Sequence, residues 1–387
     1  MTTKFLLRTF ATLLAWASLT HMSSYAQQTE NPQGGMVELL IPPAAPNHPQ
    51  TPEQEEKGRQ MGRPEPTPEI LQPTLDQALP SYEPRRDVEI SGTFKAAASD
   101  VLRGLVETWI EEFRKYYPKV NITVPPPYAG SIGAKELVQG NLDFVFVSRE
   151  LKPDDITDFK AKFGYSPLSV PICGGSYRHF GFLDAVGILV NKENPLEKIS
   201  FDQLDAILSR THYRGGEPIS RWGQLGLTGE WADKPIHIYG IKPWNGFEEF
   251  IRQRVLSRDG QRGEWREDIN FDKVVFPVAG RVAGDRYGVG YSGLAYIDSG
   301  VKILPLSENE NGLFYAPTYE NVARATYPLS RVVYFNTNKP PGKPLNSAIE
   351  EFLQFVLSRE GQHIVLNQAL YLPLRQSQVA NSRALLK

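Results

Sequence analysis

Three short segments rich in small and polar residues stand where a strand pattern gives way to a helix pattern. A helix N-terminus presents unpaired backbone N–H groups and a partial positive charge, and small residues let a ligand approach the backbone. Serine hydroxyls and an arginine add further donors. This combination favours non-covalent binding of an oxyanion. The segments are Ala98-Ser99-Asp100-Val101-Leu102, Ala129-Gly130-Ser131-Ile132-Gly133 and Ser148-Arg149-Glu150-Leu151.

Each segment also has a purely structural interpretation. Serine and aspartate before a helix are common N-caps, and glycine is common in turns. For one turn alone, the structural interpretation is the better one. Three such turns after consecutive strands favour a binding site, because ligands of open α/β sheets bind outside the carboxyl ends of the strands. From these residues alone, the two interpretations stay balanced.

Residues that could support catalysis or hold a metal do not occur in a recognisable arrangement. None of the six histidines pairs with a glutamate in metalloprotease spacing, and Ser292 lacks the flanking residues of a nucleophile elbow. The single cysteine, Cys173, can form neither an intramolecular disulfide nor a cysteine-based zinc site, so we expect a small buried residue. We therefore expect no catalytic residue, no metal ligand and no cofactor.

One glycine motif has the spacing of a dinucleotide-binding fingerprint. Residues 288–293 match G-x-G-x-x-G, but such a site requires a strand before the motif and a helix after it. The next residues along the chain, 294–297, predict a strand. We therefore reject a nucleotide site here.

The length and charge of the chain limit the classes of protein to which it can belong. With 387 residues it is long enough for two lobes and additional segments, and its hydrophobic fraction of 41% is normal for a globular protein. The 42 basic and 44 acidic residues leave a net charge of −2. A nucleic-acid-binding surface would require a basic excess, so we expect no nucleic-acid partner.

The elements that must position the three turns alternate between strand and helix. In the first region, residues 88–97, 120–124 and 142–147 predict strands, and residues 101–116 and 134–139 predict helices. In the second, residues 185–191, 235–239 and 327–336 predict strands, and residues 201–208 and 246–257 predict helices. A capping box of Ser347 and Glu350 predicts the start of a last helix. This alternation predicts two α/β lobes with mainly parallel sheets, and no internal repeat is visible in the sequence.

The N-terminus has the pattern of a secretory signal peptide. Lys4 and Arg8 precede a short apolar run, and Ser24-Tyr25-Ala26 fits the small-x-small motif that precedes a cleavage site. The run is too short to span a membrane. We expect cleavage near Ala26 and export to the periplasm.

Residues 27–86 differ from the rest of the chain, because they hold 12 of its 31 prolines. Proline removes backbone donors and interrupts helices, so a packed core is unfavourable here. We interpret this segment as a largely disordered spacer, either a passive linker or a docking arm.

From about residue 87 the chain resembles the periplasmic phosphate-binding proteins of ABC importers, which have a type II periplasmic binding protein fold. The resemblance rests on an ordered series of short motifs rather than on any one of them. They include Ala-Ser-Asp at 98–100, Gly-Ser-Ile-Gly at 130–133, Ser-Arg-Glu-Leu at 148–151, Gly-Val-Gly-Tyr-Ser-Gly-Leu-Ala-Tyr at 288–296, Tyr-Pro-Leu-Ser-Arg at 327–331 and Leu-Ser-Arg-Glu-Gly-Gln at 357–362.

The resemblance implies two lobes that close over an anion. Residues 87–185 with 337–387 would form the first lobe, and residues 186–336 the second. The resemblance places the following residues of the first lobe at the anion: Ser99, Asp100, the backbone of Val101 and Leu102, Gly130, Ser131, Gly133, Ser148 and Arg149. Asp100 is the candidate for selecting hydrogen phosphate over sulfate, because a carboxylate can accept the proton that only hydrogen phosphate carries. Its alternative role is a plain helix N-cap.

The second lobe departs from the family pattern after Tyr239-Gly240. Ile241 stands where the family has arginine, Asn245 where it has serine, and Phe247 where it has threonine. A bidentate arginine and two hydroxyl donors are therefore missing. Lys242, Asn245 and Gly246 are the remaining candidates for contacting the anion from this side, with Lys242 acting as a point charge.

These observations predict a monomeric periplasmic solute-binding protein, not an enzyme, that delivers phosphate or a related oxyanion to the permease of an ABC importer. One alternative is a non-transport or signalling protein whose cleft no longer binds phosphate, which the altered second-lobe turn and the Pro-rich segment would favour. A phosphate-ester hydrolase on the same scaffold is a weaker alternative, because no metal cluster or activated nucleophile is visible.

Overall fold

The computed structural model describes residues 28–30, 36–38, 74–126, 130–177, 183–243, 246–297, 300–368 and 370–387. The chain divides into two units, residues 1–42 and 43–387. In the smaller unit, strand β1 (Gln28–Glu30) pairs antiparallel with β2 (Met36–Glu38). The predicted signal peptide, most of the Pro-rich segment and Asn245 lie outside the described residues.

The larger unit contains the elements that the sequence predicts and several more. Its strands are β3 (Gly92–Ala98), β4 (Val120–Thr123), β5 (Phe144–Val147), β6 (Leu168–Gly174), β7 (Val186–Asn191), β8 (Ile199–Ser200), β9 (His237–Ile241), β10 (Asn270–Asp272), β11 (Gly288–Gly293), β12 (Val301–Ile303), β13 (Leu306–Ser307) and β14 (Val332–Thr337). Its α-helices are α1 (Arg103–Tyr116), α2 (Gly130–Gln139), α3 (Pro153–Phe163), α4 (Phe201–Leu208), α5 (Gly246–Ile251), α6 (Phe276–Gly284), α7 (Tyr319–Ala323), α8 (Ser347–Val356), α9 (Arg359–Asn367) and α10 (Gln376–Ala384). A π-helical turn, Arg252–Leu256, continues α5.

In two five-stranded sheets the four parallel strands have the same order, second-first-third-fourth along the chain, with the antiparallel strand between the third and the fourth. The first runs β4-β3-β5-β14-β6 and the second runs β10-β9-β11-β7-β12. In each sheet one strand, β14 or β7, is antiparallel to both of its neighbours, so the other four share a direction. Along the chain, β7 follows β6 of the first sheet, and β14 follows the last strand of the second sheet after β13 and α7, so the chain crosses between the sheets twice. We call the parts built around these sheets the first and second lobes. The prediction of two lobes with mixed, mainly parallel sheets is confirmed.

Burial on both faces explains why the central strands are continuous apolar runs. All four residues of β5 and all six of β7 are buried, as expected for strands covered by helices on both sides. Helix α1 buries one face against the first sheet, including Trp109, whose Nε1 donates to the carbonyl of Gly361 at 2.9 Å. Aromatic rings fill the layer between: Phe144 stacks on Phe335 with centroids 4.8 Å apart. This packing rigidly positions the carboxyl ends of β3 and β5.

Three local predictions differ from the structure. Strand β14 belongs to the first sheet, whereas we assigned residues 327–336 to the second lobe; its hydrogen-bonded partners, β5 and β6, are distant in sequence and leave no local signal. The last predicted helix is capped by Asn346, whose side chain accepts from the N–H of Ala348, and not by Ser347. Residues 294–296 form a 3-10 turn instead of a strand. The glycine motif lies inside β11 itself. The reason for rejecting a nucleotide site therefore changes: the motif is a strand, and it does not form the turn between a strand and a helix.

The described end of the Pro-rich segment packs onto the first lobe. Leu79 is buried, and the Tyr82 hydroxyl donates to the Glu351 carboxylate at 2.6 Å. Arg359 donates to the carbonyl of Leu79 at 2.9 Å. From residue 74 onward the segment is therefore part of the fold, which differs from the prediction of a largely disordered spacer up to residue 86. The other predicted segment boundaries remain predictions.

Across the described ranges, no helix is both long enough and apolar enough to cross a bilayer. Cys173 lies fully buried in the core of the first lobe, as predicted, and burial raises the pKa of its thiol.

Candidate functional site

In the first turn, the hydroxyl of Ser99 does not cap the helical turn that follows it. Ser99 follows β3, and its N–H donates to the carbonyl of Phe146 at 3.1 Å. The chain then forms the 3-10 turn Asp100–Leu102 before α1. Ser99 occupies the N-cap position of this turn, yet its side chain makes no capping hydrogen bond. The capping interpretation therefore does not account for this serine.

The second turn contacts the first. A Cβ atom on Gly130 would lie 2.5 Å from the Ser99 Oγ and 3.2 Å from a methyl group of Val147. Only glycine permits this approach, because real Cβ contacts do not come so close. Val147 is the last residue of β5 and directly precedes Ser148. The three predicted turns therefore meet at one edge of the first sheet, with Gly130 as the first residue of α2.

Two of the predicted ligand residues have a packing role. A Cβ on Gly133 would lie 2.6 Å from a Val145 methyl group and 2.9 Å from the Ala97 Cβ, so this glycine lets α2 approach the sheet. The side chain of Leu102 is in the core, and its N–H donates to the Ser99 carbonyl at 2.9 Å, within the turn. That N–H is already engaged. The ligand role of the Val101 backbone stays a prediction, as does that of Ser131, whose side chain lies outside the described part.

The third turn carries a buried guanidinium. Arg149 is 9% exposed, and its Nη1 donates to the neighbouring carbonyl of Glu150 at 2.7 Å. Its Nη2 is buried and has no acceptor among the described residues. Burial lowers the pKa of Arg149, while the carboxylates of Asp155 and Glu249 partly oppose this shift. A buried cation with an unused donor can bind an anion.

The predicted second-lobe contacts are weaker. Ile241 is fully buried at the end of β9, so the position that carries arginine in the family is in the core here. Lys242 is exposed, and its backbone N–H donates to the carbonyl of Asp272 at 2.8 Å. Gly246 is exposed at the start of α5. The structure shows no contact of Lys242 or Gly246 with the first-lobe turns within the described ranges.

Aromatic residues follow three of the four parallel strands of the second sheet, where the first sheet has small and polar ones. Phe247 follows β9, Phe276 follows β10, and Tyr296 follows β11. The ring of Tyr296 lies 5.9 Å from that of Phe247 and 5.1 Å from that of Phe276, measured between centroids. The corresponding turns of the two lobes therefore differ in chemistry although the strands correspond.

Sequence reasoning missed one residue of this region, Arg331. It lies just before β14 and is 5% exposed, with its guanidinium 4.3 Å above the ring of Phe250. Its Nη2 donates to the Ser148 carbonyl at a long 3.4 Å, and its Nε has no partner in the described part of the chain. Burial lowers its pKa to about 10, so it remains charged at neutral pH. The sequence signal was available: a lone arginine lies inside the strand that residues 327–336 predict.

Arg331 belongs to the crossings between the lobes. The outgoing crossing leads from β6 to β7, and the return crossing leads to β14. The N–H of Gly175, on the outgoing crossing, donates to the Arg331 carbonyl at 2.8 Å, and the N–H of Val186 donates to the Leu329 carbonyl at 3.1 Å. The two crossings thus run side by side. Asp184 is also buried on the outgoing crossing, where its Oδ2 accepts from the N–H of Ala295 at 2.9 Å.

The lobes touch beside the third turn. The side-chain amide of Gln253 donates to the carbonyl of Leu151 at 2.7 Å, and Arg254 Nη1 lies 3.3 Å from the Glu150 carboxylate. Lys152 and Glu249 approach to 4.0 Å across the same boundary. These contacts hold the π-helical turn of the second lobe against residues 150–152 of the first. Within the described ranges, no cluster of histidine, cysteine or carboxylate side chains could hold a metal ion.

Comparison with known proteins adds independent evidence. A family model for a PBP superfamily domain matches residues 83–360. The phosphate-binding protein PstS of Pseudomonas aeruginosa is 35% identical over 302 residues, which cover 78% of this chain and 88% of that protein. The phosphate-binding protein PstS of Staphylococcus epidermidis is 24% identical over 282 residues, which cover 71% of this chain and 77% of that protein.

The solved structures agree with this fold. The crystal structure of PstS from Borrelia burgdorferi is 19% identical, with a TM-score of 0.52 over 74% of this chain and 100% of that one. This likeness supports the fold alone. The family match over most of the chain, together with 35% identity to a curated relative, establishes the family. The chain belongs to the PBP superfamily, in the family of the phosphate-binding protein PstS.

Proposed function

We propose that this protein captures inorganic phosphate between its two lobes and delivers it to the permease of an ABC importer. The carrying observation is the meeting of three turns at one edge of the first sheet, with the Ser99 hydroxyl outside its capping role and Arg149 buried with an unused donor. The curated relatives named phosphate-binding proteins support the choice of anion.

The mechanism requires binding and closure without covalent chemistry. Backbone N–H groups, serine hydroxyls and a guanidinium that are fixed before the ligand arrives spend little free energy on reorganisation. Closure of the second lobe then removes water, which strengthens each charged hydrogen bond. The contacts of Gln253 and Arg254 with residues 150 and 151 already join the two lobes on one side.

Asp100 supplies the selectivity in this proposal. It is the first residue of the 3-10 turn after Ser99, so we expect its carboxylate to lie beside the predicted anion position. Hydrogen phosphate can donate its proton to a carboxylate, whereas sulfate would meet only repulsion. The export of the chain, its action as a monomer and its lack of enzymatic activity belong to the same proposal.

Calorimetric titration with phosphate, sulfate and an organic phosphate ester tests the function. We expect tight phosphate binding that Ser99→Ala weakens, and an Asp100→Asn variant that no longer discriminates against sulfate. Ser347→Ala, which alters an exposed serine at the start of α8, is the matched control. If the wild-type protein binds none of these anions, transport is contradicted and a non-transport role is favoured. Turnover of the ester, lost with Ser99→Ala, would instead indicate a hydrolase.

A further inference from the structure

The second lobe lacks the arginine that its family carries after β9, yet an arginine guanidinium reaches the same region from a different part of the chain. Ile241 is fully buried at that position. The guanidinium of Arg331 lies 6.0 Å from the ring of Phe247, which itself replaces a hydroxyl donor. One of the two changed positions, Phe247, therefore lies beside the Arg331 guanidinium. Aromatic rings therefore lie beside a cation that belongs to the crossing between the lobes.

The Arg331 guanidinium lies over an aromatic ring. Phe250 lies beneath it at 4.3 Å, a distance at which cation–π attraction is effective. An arginine stacked on a ring keeps its N–H groups directed outward in the plane of the guanidinium. No carboxylate forms an ion pair with Arg331 within 4.0 Å among the interactions of the described residues. The ring thus fixes the cation without using its donors.

The donors of Arg331 are poorly used in this structure. Its Nε is buried without an acceptor in the described part of the chain, and its Nη2 reaches the Ser148 carbonyl only at 3.4 Å. A buried cation whose N–H groups lack acceptors costs free energy unless an anion joins it. Arg149, the residue after Ser148, has the same deficit at its Nη2. Two buried guanidinium groups near one serine are mutually repulsive, which a shared anion would relieve.

We propose that Arg331 binds the captured anion and replaces the missing second-lobe arginine, so that the clamp comes from the crossing between the lobes. This assignment rests on the proposed function and adds to it a residue, a geometry and a reason for the altered second-lobe turn. In this arrangement Phe247 and Phe250 contribute by positioning the guanidinium, and the ligand contacts come from Arg331 and the first-lobe turns.

A buried charged residue whose role is to bind a ligand has a recognisable effect on the stability of the ligand-free protein. Burial lowers the pKa of Arg331 more than Asp184 and Glu150 raise it, so the charged form is disfavoured in the ligand-free fold. Replacing it by methionine, which has a similar length and no charge, should leave the ligand-free protein as stable or more stable. A purely structural arginine would show the opposite, because its removal would leave partners unsatisfied.

Titration of the full chain with inorganic phosphate, with thermal unfolding of the ligand-free proteins, tests the assignment. Arg331→Met should weaken phosphate binding at least about 30-fold, the loss expected when one partner of a buried charged hydrogen bond is removed. Arg331→Lys keeps the charge without the fork and should lose less. Arg324→Met is the matched control, since Arg324 is exposed on the same connection and pairs with Glu320; we expect unchanged binding.

The outcomes separate this assignment from the proposed function. Wild-type affinity in Arg331→Met and Arg331→Lys would overturn the role of Arg331 while leaving phosphate capture intact. Loss of affinity together with lower ligand-free stability in both variants would make Arg331 structural and also overturn the assignment. A wild-type protein that ignores phosphate would contradict both the proposed function and this role.

Discussion

The two lobes share one strand order and differ in the residues that come after each strand. After β3, β4 and β5 the first lobe has serine, glycine and arginine; after β9, β10 and β11 the second has phenylalanine and tyrosine. The shared order follows from burying apolar strands between helices, which many sequences can satisfy. The turns are under no such constraint, so binding chemistry can change in one lobe while the architecture stays. The comparison teaches that the lobes contribute unequally to the site.

The largest expected effect comes from imposing the family pattern on the second lobe. Ile241→Arg should lower the free energy of unfolding by about 3–5 kcal/mol, because Ile241 is fully buried and a charge there has no partner. Urea denaturation measures this. Ile241→Val should cost only about 1 kcal/mol. A stable Ile241→Arg protein with tighter phosphate binding would contradict this expectation and show that the second lobe retains the family's ligand geometry.

A smaller effect is expected when a glycine of the first lobe gains a methyl group. Gly130→Ala forces a Cβ against the Ser99 Oγ, so we expect overpacking of about 1–3 kcal/mol and clearly weaker phosphate binding. Gly280→Ala, in the exposed interior of α6, meets no atom and should stabilise the protein by about 0.5–1 kcal/mol. Denaturation and phosphate titration of both variants measure the difference. If the two variants had the same stability and the same phosphate affinity, the close contact between the first-lobe turns would be contradicted.

Restoring a hydroxyl to the second lobe should have a smaller effect again. Phe247→Thr removes a ring that lies beside Arg331 and contacts Tyr296, so the guanidinium becomes less fixed. We expect phosphate binding to weaken about 3- to 10-fold, the range of a modest cation–π contribution. Phosphate titration measures this change. Phe314→Thr is the control, because the Phe314 ring lies near Lys198 instead of Arg331. Stronger binding would mean that a second-lobe hydroxyl can still reach the anion.

The smallest effect is expected at the boundary between the lobes. Arg254 pairs with Glu150 at 3.3 Å, and both side chains are about one-third exposed, so solvent screens the pair. Arg254→Met should change the phosphate dissociation constant by no more than about fivefold. The change should shrink as salt is added, which titration at two ionic strengths measures. A large, salt-insensitive loss would place this arginine among the ligand contacts.

Most of the fold could be predicted because its signals are local. Helix α4 matches its predicted bounds, Phe201–Leu208, since Ser200 and Gln203 form a capping box before an apolar face. Strand β14 could not be placed in the right sheet, because its partners β5 and β6 lie far earlier in the chain. The shared strand order of the lobes was likewise invisible, since it is a repeat of topology without a repeat of sequence.

The candidate site was predictable in part. The three first-lobe turns come at strand ends, which places them together by the general geometry of α/β sheets. The packing role of Gly133 could not be separated from a ligand role, because both require a small residue. Arg331 was missed because its position near Ser148 depends on a crossing that brings together residues far apart in sequence.

The exchange of β7 and β14 between the sheets has a consequence for how the protein is made. β14 lies between β5 and β6, so the first sheet stays open at its centre until residues 332–337 have been synthesised. The second sheet needs β7, which leaves the first lobe early, and it can close before the first. The lobe that starts first along the chain therefore finishes last. Its closure involves contacts of high sequence separation, which fold slowly. A chain truncated before residue 332 would lack the strand that joins β5 to β6, and it would expose both of their edges to aggregation.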